Sequence, residues 1–207
     1  MITQNIERTI AFIKEKFYEG DDEKKFQYRY EHTLRVAAIG QQIASKEGLN
    51  EEALIIGCLL HDIGYIACNT KEDYDLHGRI SARLAKEFLE SIQYDEQWTK
   101  TICYGIYIHT EEKPLKEPTP FESSIADADN IDRFDAYRLY ENLKFSEIDE
   151  MSQNDIAQLA KKRIVRLNEL MEYPFGTETG RQMWQDKLQF QILYYNRLLT
   201  QMELTLY

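Results

Sequence analysis

Four histidines, His32, His61, His77 and His109, are the only imidazoles in the 207-residue chain, and each sits at the edge of an apolar stripe with helical spacing. His32 lies four residues before Val36 and seven before Ile39, so the three share one face of a helix with 3.6 residues per turn. His61 and Asp62 directly follow the apolar run LIIGCLL. His77 lies four before Ser81 and seven before Leu84, and His109 three after Ile106 and seven after Ile102. Asp129, four after Ile125 and eight after Phe121, points along an apolar stripe in the same way. Burying imidazoles is costly unless they meet partners. One such histidine reads as a hydrogen-bonded core residue. Four placed alike, with Asp62 and Asp129 similarly set, read as convergence on metal. Asp127 is rotated from Asp129 by about 200° on an ideal helix, so it reads as supporting or solvated rather than ligating.

Mixed imidazole and carboxylate donors suit Mn, Fe, Ni or Zn, with Mg also admissible, and one ion needs about four of them with positions left for water. Such an ion lowers the pKa of bound water and offers a Lewis acid to a phosphoryl oxygen, the chemistry of hydrolysis. His61 and Asp62 bring both ligand types to one helix end, and are the residues expected to be catalytic as well as ligating. If Asp62 bridges, His77 and His109 complete a binuclear site; otherwise they line a phosphate pocket as donors. The binuclear arrangement is the one expected. Arg35, Arg79, Arg83 and Arg133 are candidate phosphate partners, each to be weighed against a surface ion pair. Arg133, one turn past Asp129, is the first choice, with Arg35 next.

The elements that must position these residues are helices. No run of alternating β-branched residues appears, whereas helical periodicity marks 3–18, 28–47, 51–60, 77–92, 95–109, 121–144, 152–171 and 179–205. Segment 51–60, EEALIIGCLL, follows the capping residue Asn50 and is apolar nearly all round, as a helix buried mid-domain must be. The loop 111–120 holds three of the four prolines and resets the chain direction, and YPFGTETG punctuates the last break. These features predict an all-α, multi-helix bundle, one domain over 1–207 with a core of about 26–145 and a helical extension of about 146–207. A seam, if there is one, falls near 145–152.

The order His32, His61-Asp62, Asp129 resembles the H…HD…D signature of the HD superfamily, metal-dependent phosphohydrolases. EHTLRVAAIGQQIA surrounds the first histidine, CLLHDIGYI the pair and SSIADADNIDRFDA the last aspartate. The HDIG form at 61–64, with His77 and His109, is similar to members carrying H…HD…H…H…D. The resemblance covers roughly 26–145. It implies a helical HD bundle, the six ligands named above, and hydrolysis of a small phosphorylated substrate such as a nucleotide. The tail FGTETGRQMW is similar to the end of a small bacterial branch of HD hydrolases. Tyr65 stands where cyclic-di-GMP phosphodiesterases carry Lys, and HTEEKPLKEP replaces their HHE…GYP, so that substrate is not expected. The same six-ligand pattern also resembles HD-type di-iron oxygenases, and a nucleotide-sensing module without turnover is a further alternative.

Bulk properties bound these readings. The formal net charge of -11 argues against nucleic-acid polymers and anionic membranes as partners, while a local metal site can still hold a phosphorylated small molecule. No stretch approaches the roughly 18 apolar residues of a membrane span, and no signal-peptide core appears at the N-terminus. Cys58, Cys68 and Cys103 form no CxxC pair, and Cys58 and Cys103 read as buried thiols of a reducing compartment. A cytoplasmic location is expected. The oligomeric state is left open.

Overall fold

Asn50 starts the helix on which the first unit is organised. Its side chain accepts the Ala53 N–H at 3.0 Å, and helix α3 (Glu51–Leu60) then runs with every residue from Ala53 to Leu60 buried. A helix apolar on all sides must be enclosed, and the chain meets that need with neighbours. In this computed structural model, which describes residues 2–18, 23–111 and 114–204 (backbone only for 23–26), α3 packs against α1 (Gln4–Tyr18), α2 (Glu23–Glu47) and α6 (Glu96–Ile108). It also meets α7 (Pro120–Arg133) through Ile125, whose Cδ1 lies against Gly57.

Helix α2 stops at Gly48, which adopts φ +65°, and the Leu49 N–H returns to the Ala44 carbonyl at 2.9 Å, a glycine-dependent C-terminal turn. Beyond α3 the chain makes a tight 3₁₀ turn (Ile63–Ala67) and a short helix α4 (Lys71–Asp75), neither of which the periodicity predicts. α5 (His77–Ser91) then packs on both α6 and the 3₁₀ turn. Among the described residues none is in a strand, so the all-α expectation holds. Among the described residues no helix is long and apolar enough to cross a membrane.

The expected helix 121–144 is two helices. α7 ends at Arg133, Asp135 takes an extended conformation and caps Ala136, and α8 (Ala136–Phe145) starts afresh. Midway along an apolar-periodic stretch an aspartate reads as helix-interior, but its short side chain favours the cap. α9 (Gln153–Glu169) and α10 (Glu178–Glu203) follow, and Thr205, the end of the expected last helix, lies outside the described residues.

The chain forms two compact units: Met1–Asp132 with Phe175–Gly180, and Arg133–Pro174 with Arg181–Tyr207. The seam expected near 145–152 falls inside the second unit. In that unit Trp184 is buried, donates to the Leu170 carbonyl at 2.8 Å and meets Phe134 edge-on at 4.6 Å, while Gln191 donates to the Phe134 carbonyl at 2.6 Å. Cys58 and Cys68 are buried thiols; Cys103 is only half-buried, at the edge of the apolar face assigned to it.

Candidate metal centre

All six expected ligands belong to the first unit and face one another. α2 supplies His32, the end of α3 supplies His61 and Asp62, the first residue of α5 is His77, His109 closes α6, and α7 carries Asp129. Their donor atoms form two groups, His32, His61 and Asp129, and Asp62, His77 and His109, each with its atoms within 4.8 Å of one another. In the first group His32 Nε2 stands 3.1 Å and His61 Nε2 3.9 Å from Asp129 Oδ1.

Asp62 joins the groups. Its Oδ2 lies 3.5 Å from His61 Nε2 and 3.7 Å from His32 Nε2, while its Oδ1 lies 3.4 Å from His77 Nε2 and 3.7 Å from His109 Nε2. One carboxylate thus presents an oxygen to each set of imidazoles, the disposition of a bridge.

Three of the four histidines are held by the same device. His61 Nδ1 donates to the Cys58 carbonyl at 2.7 Å, His77 Nδ1 to Tyr74 at 2.7 Å and His109 Nδ1 to Ile106 at 2.5 Å, each reaching back three residues. His32 Nδ1 instead meets Asp132 Oδ2 at 2.7 Å. A carbonyl can only accept, so in the first three rings Nδ1 carries a proton, and in the neutral form of each ring the Nε2 lone pair faces inward. His61 Nε2 and His109 Nε2 are buried without a hydrogen-bond partner. Lone pairs turned onto carboxylates in a buried site repel unless a cation lies between them, and a histidine with its outer nitrogen anchored is the usual form of a metal ligand. The residues fit a transition-metal centre.

The electrostatics differ from ring to ring. Burial pushes the His61 imidazole down to about 4, which keeps its lone pair available at neutral pH. Burial opposes protonation of His32 as well, but Asp129 and Asp132 outweigh it and raise that ring to about 9. Burial would raise the Asp62 carboxyl, yet His61, His109, His77 and Arg29 hold it well below the usual carboxylate range.

Three further residues complete the site, and sequence reasoning passed over two of them. Arg29, one turn before His32, donates from Nη1 to Asp62 Oδ2 at 2.7 Å, and its Cζ lies over the Tyr65 ring, 3.6 Å from the centre. Asp132, one turn after Asp129, accepts from Arg35 Nε at 2.8 Å and Nη2 at 3.1 Å while holding His32. The one signal for either is spacing: each is three residues from a candidate ligand, which puts side chains on one face. Arg35 therefore sits beside the site with its guanidinium engaged by Asp132. Arg79 pairs with Glu111 and Arg83 with Glu87 at exposed positions, and Arg133 belongs to the second unit. Asp127 is off the ligand face as expected. It is buried rather than solvated, and accepts the Gly176 N–H at 2.9 Å.

This helical fold with its histidine–aspartate cluster corresponds to one known class. The HD domain family matches residues 29–134, which span all six ligands, and the chain belongs to that family. Among solved structures it is similar to a predicted HD superfamily hydrolase from an uncultured Thermotogales bacterium, with 23% identity, a TM-score of 0.60, and coverage of 94% of this chain and 91% of that one. No curated protein matches the chain.

Proposed function

We propose that the protein is a metal-dependent phosphohydrolase acting on a small phosphorylated molecule, a nucleotide or other phosphoester, with one ion in each of the two ligand groups. The observation that supports this reading is Asp62, whose two oxygens each face a separate set of inward-turned Nε2 atoms. Held by His32, His61, Asp62 and Asp129 on one side and Asp62, His77 and His109 on the other, Mn, Fe, Ni or Zn would supply an activated water and a Lewis acid for the phosphoryl group. The chain's own part is to fix geometry and charge. Backbone carbonyls set the tautomer of three rings, Asp132 orients the fourth, and Arg29 adds a permanent positive charge beside the shared carboxylate. The predicted hydrolase among the similar structures supports the same reading, as does a pattern similar to HD phosphohydrolases.

The test is a panel of nucleotides and phosphoesters assayed with Mn²⁺, Ni²⁺, Co²⁺ and Mg²⁺, against two variants. Asp62→Ala should abolish metal retention and turnover together, because it removes the carboxylate both groups share. Asp127→Ala should keep metal content near wild type. Equal metal loss in the two variants, or dioxygen uptake by the iron-loaded protein with no phosphate release, would overturn the proposal, the latter in favour of an HD-type oxygenase.

A further inference from the structure

The sequence HDIGY assigns a task to each of its first four residues. His61 and Asp62 are ligands, and Ile63 is fully buried in the core. Gly64 permits a close approach: its N–H donates to Ser81 Oγ at 2.9 Å, and a Cβ there would meet the His77 carbonyl at 2.6 Å and Ser81 N at 2.7 Å. The 3₁₀ turn is thereby seated on the first turn of α5, and the Tyr65 N–H closes back on the Asp62 carbonyl at 3.1 Å. These contacts bring the fifth residue over the metal centre.

The Tyr65 ring has two neighbours that matter. The Arg29 guanidinium lies 3.6 Å from its centroid, and the His77 ring stands at 4.4 Å. Both also reach Asp62, at different oxygens: Arg29 touches Oδ2 and His77 approaches Oδ1. We propose that Tyr65 is a positioning residue of the metal centre, its aromatic face bracketing Arg29 and His77 so that both meet the shared Asp62 carboxylate in register. This rests on the binuclear reading given above.

The physical basis is directional. A guanidinium is planar and stacks on an aromatic face by cation–π attraction, which fixes the plane in which its N–H groups point. Arg29 is one-quarter exposed, so without the ring its long side chain regains rotamer freedom. His77, also part-exposed, has one anchor through Nδ1, and the ring supplies a second restraint on its tilt. A space-filling role would need only volume. A bracketing role needs the π face, and the hydroxyl is dispensable.

Wild type, Tyr65→Phe, Tyr65→Leu and Tyr65→Ala separate these roles. Mn²⁺ titration followed by EPR should show two ions per chain in wild type and in Tyr65→Phe, with affinities within about twofold. In Tyr65→Leu and Tyr65→Ala the affinity of the ion at Asp62, His77 and His109 should fall about tenfold, the range for lost supporting contacts, with the other ion little changed. A second readout needs neither metal nor activity. In the metal-free protein, nitrogen-15 NMR should show hindered rotation of the Arg29 guanidinium in wild type and Tyr65→Phe, and measurably faster rotation in Tyr65→Leu and Tyr65→Ala, where the Asp62 hydrogen bond remains. Unchanged Arg29 rotation and Mn²⁺ affinity in Tyr65→Leu would overturn the proposal, as would Tyr65→Phe being as defective as Tyr65→Ala, or both ions weakening together with the melting temperature. Wild type that binds no Mn²⁺ would defeat the proposed function, while the NMR comparison would still decide the role of Tyr65.

Discussion

Asp62 is the residue on which the two halves of the site depend, and His77 and His109 report how it is used. Both sit on the Oδ1 side with Nε2 turned inward, far from Asp129 in chain and element. If each holds the second ion, His77→Ala and His109→Ala should lower the metal count by elemental analysis from about two towards one. Activity should fall by orders of magnitude, because the first group alone cannot supply the paired arrangement. An unchanged metal count with only a raised KM would show that they bind substrate phosphate. At this scale the cluster of candidate ligands was legible because an imidazole on an apolar stripe is costly, and four such costs have a common explanation. Arg29 and Asp132 escaped for the opposite reason. A charged residue near a helix surface is usually solvated, and nothing in YRYEH or DNIDR shows that a ligand's outer nitrogen, or the far side of a carboxylate, awaits a partner.

At the scale of elements, helices with a strong apolar stripe were predicted to within a few residues, since burial of one face is what makes them helices. The pieces between them were not. The turn 63–67 and α4 are too short for periodicity to register, yet they determine where Tyr65 and His77 stand. The break at Asp135 was hidden because cap and interior aspartates look alike until the backbone is seen. Gly64 gives this scale its sharpest test. Gly64→Ala puts a methyl against the backbone of α5, where nothing flexible can yield, so the turn and helix must separate. A cost of about 1–3 kcal/mol is expected from such overpacking, read as a lower melting temperature. Metal content measured on the same sample should drop towards one ion, because His77 moves with α5.

For the molecule as a whole, the segment FGTETG is the unexpected part. Its similarity to one bacterial tail said nothing of where it would dock, and a contact between residues 49 apart has no signature in one sequence. Gly176 lies against Ser123 and Asp127, and the Thr179 N–H donates to Glu47 Oε1 at 2.7 Å, so the segment is fastened to both α7 and α2. Burial pushes the Asp127 carboxyl up to about 7, the Gly176 N–H opposing only in part. Its folded pKa therefore lies above the unfolded value near 3.8, and the folded state holds a proton that the unfolded chain releases across that window. The stability this group contributes is full below about pH 4 and is lost as pH rises through about 7. Asp127→Asn keeps an oxygen for the Gly176 N–H without the charge. Urea unfolding should show it gaining on wild type between pH 5 and pH 8, by up to about 2 kcal/mol. A constant difference between the two proteins across that range would contradict the assignment.

The first unit is discontinuous in the chain, because residues 175–180 belong to it while the stretches on either side belong to the second. The division at Asp132 is consequently not a place where a gene can be cut. A chain ending anywhere from 134 to 174 would contain every candidate metal ligand and all of the family match, yet leave Asp127 buried without its donor two residues from Asp129. Nonsense and frameshift alleles in that interval should behave as lesions of the metal centre itself. During synthesis, the ribosome must pass Gly180 before the site is fully supported.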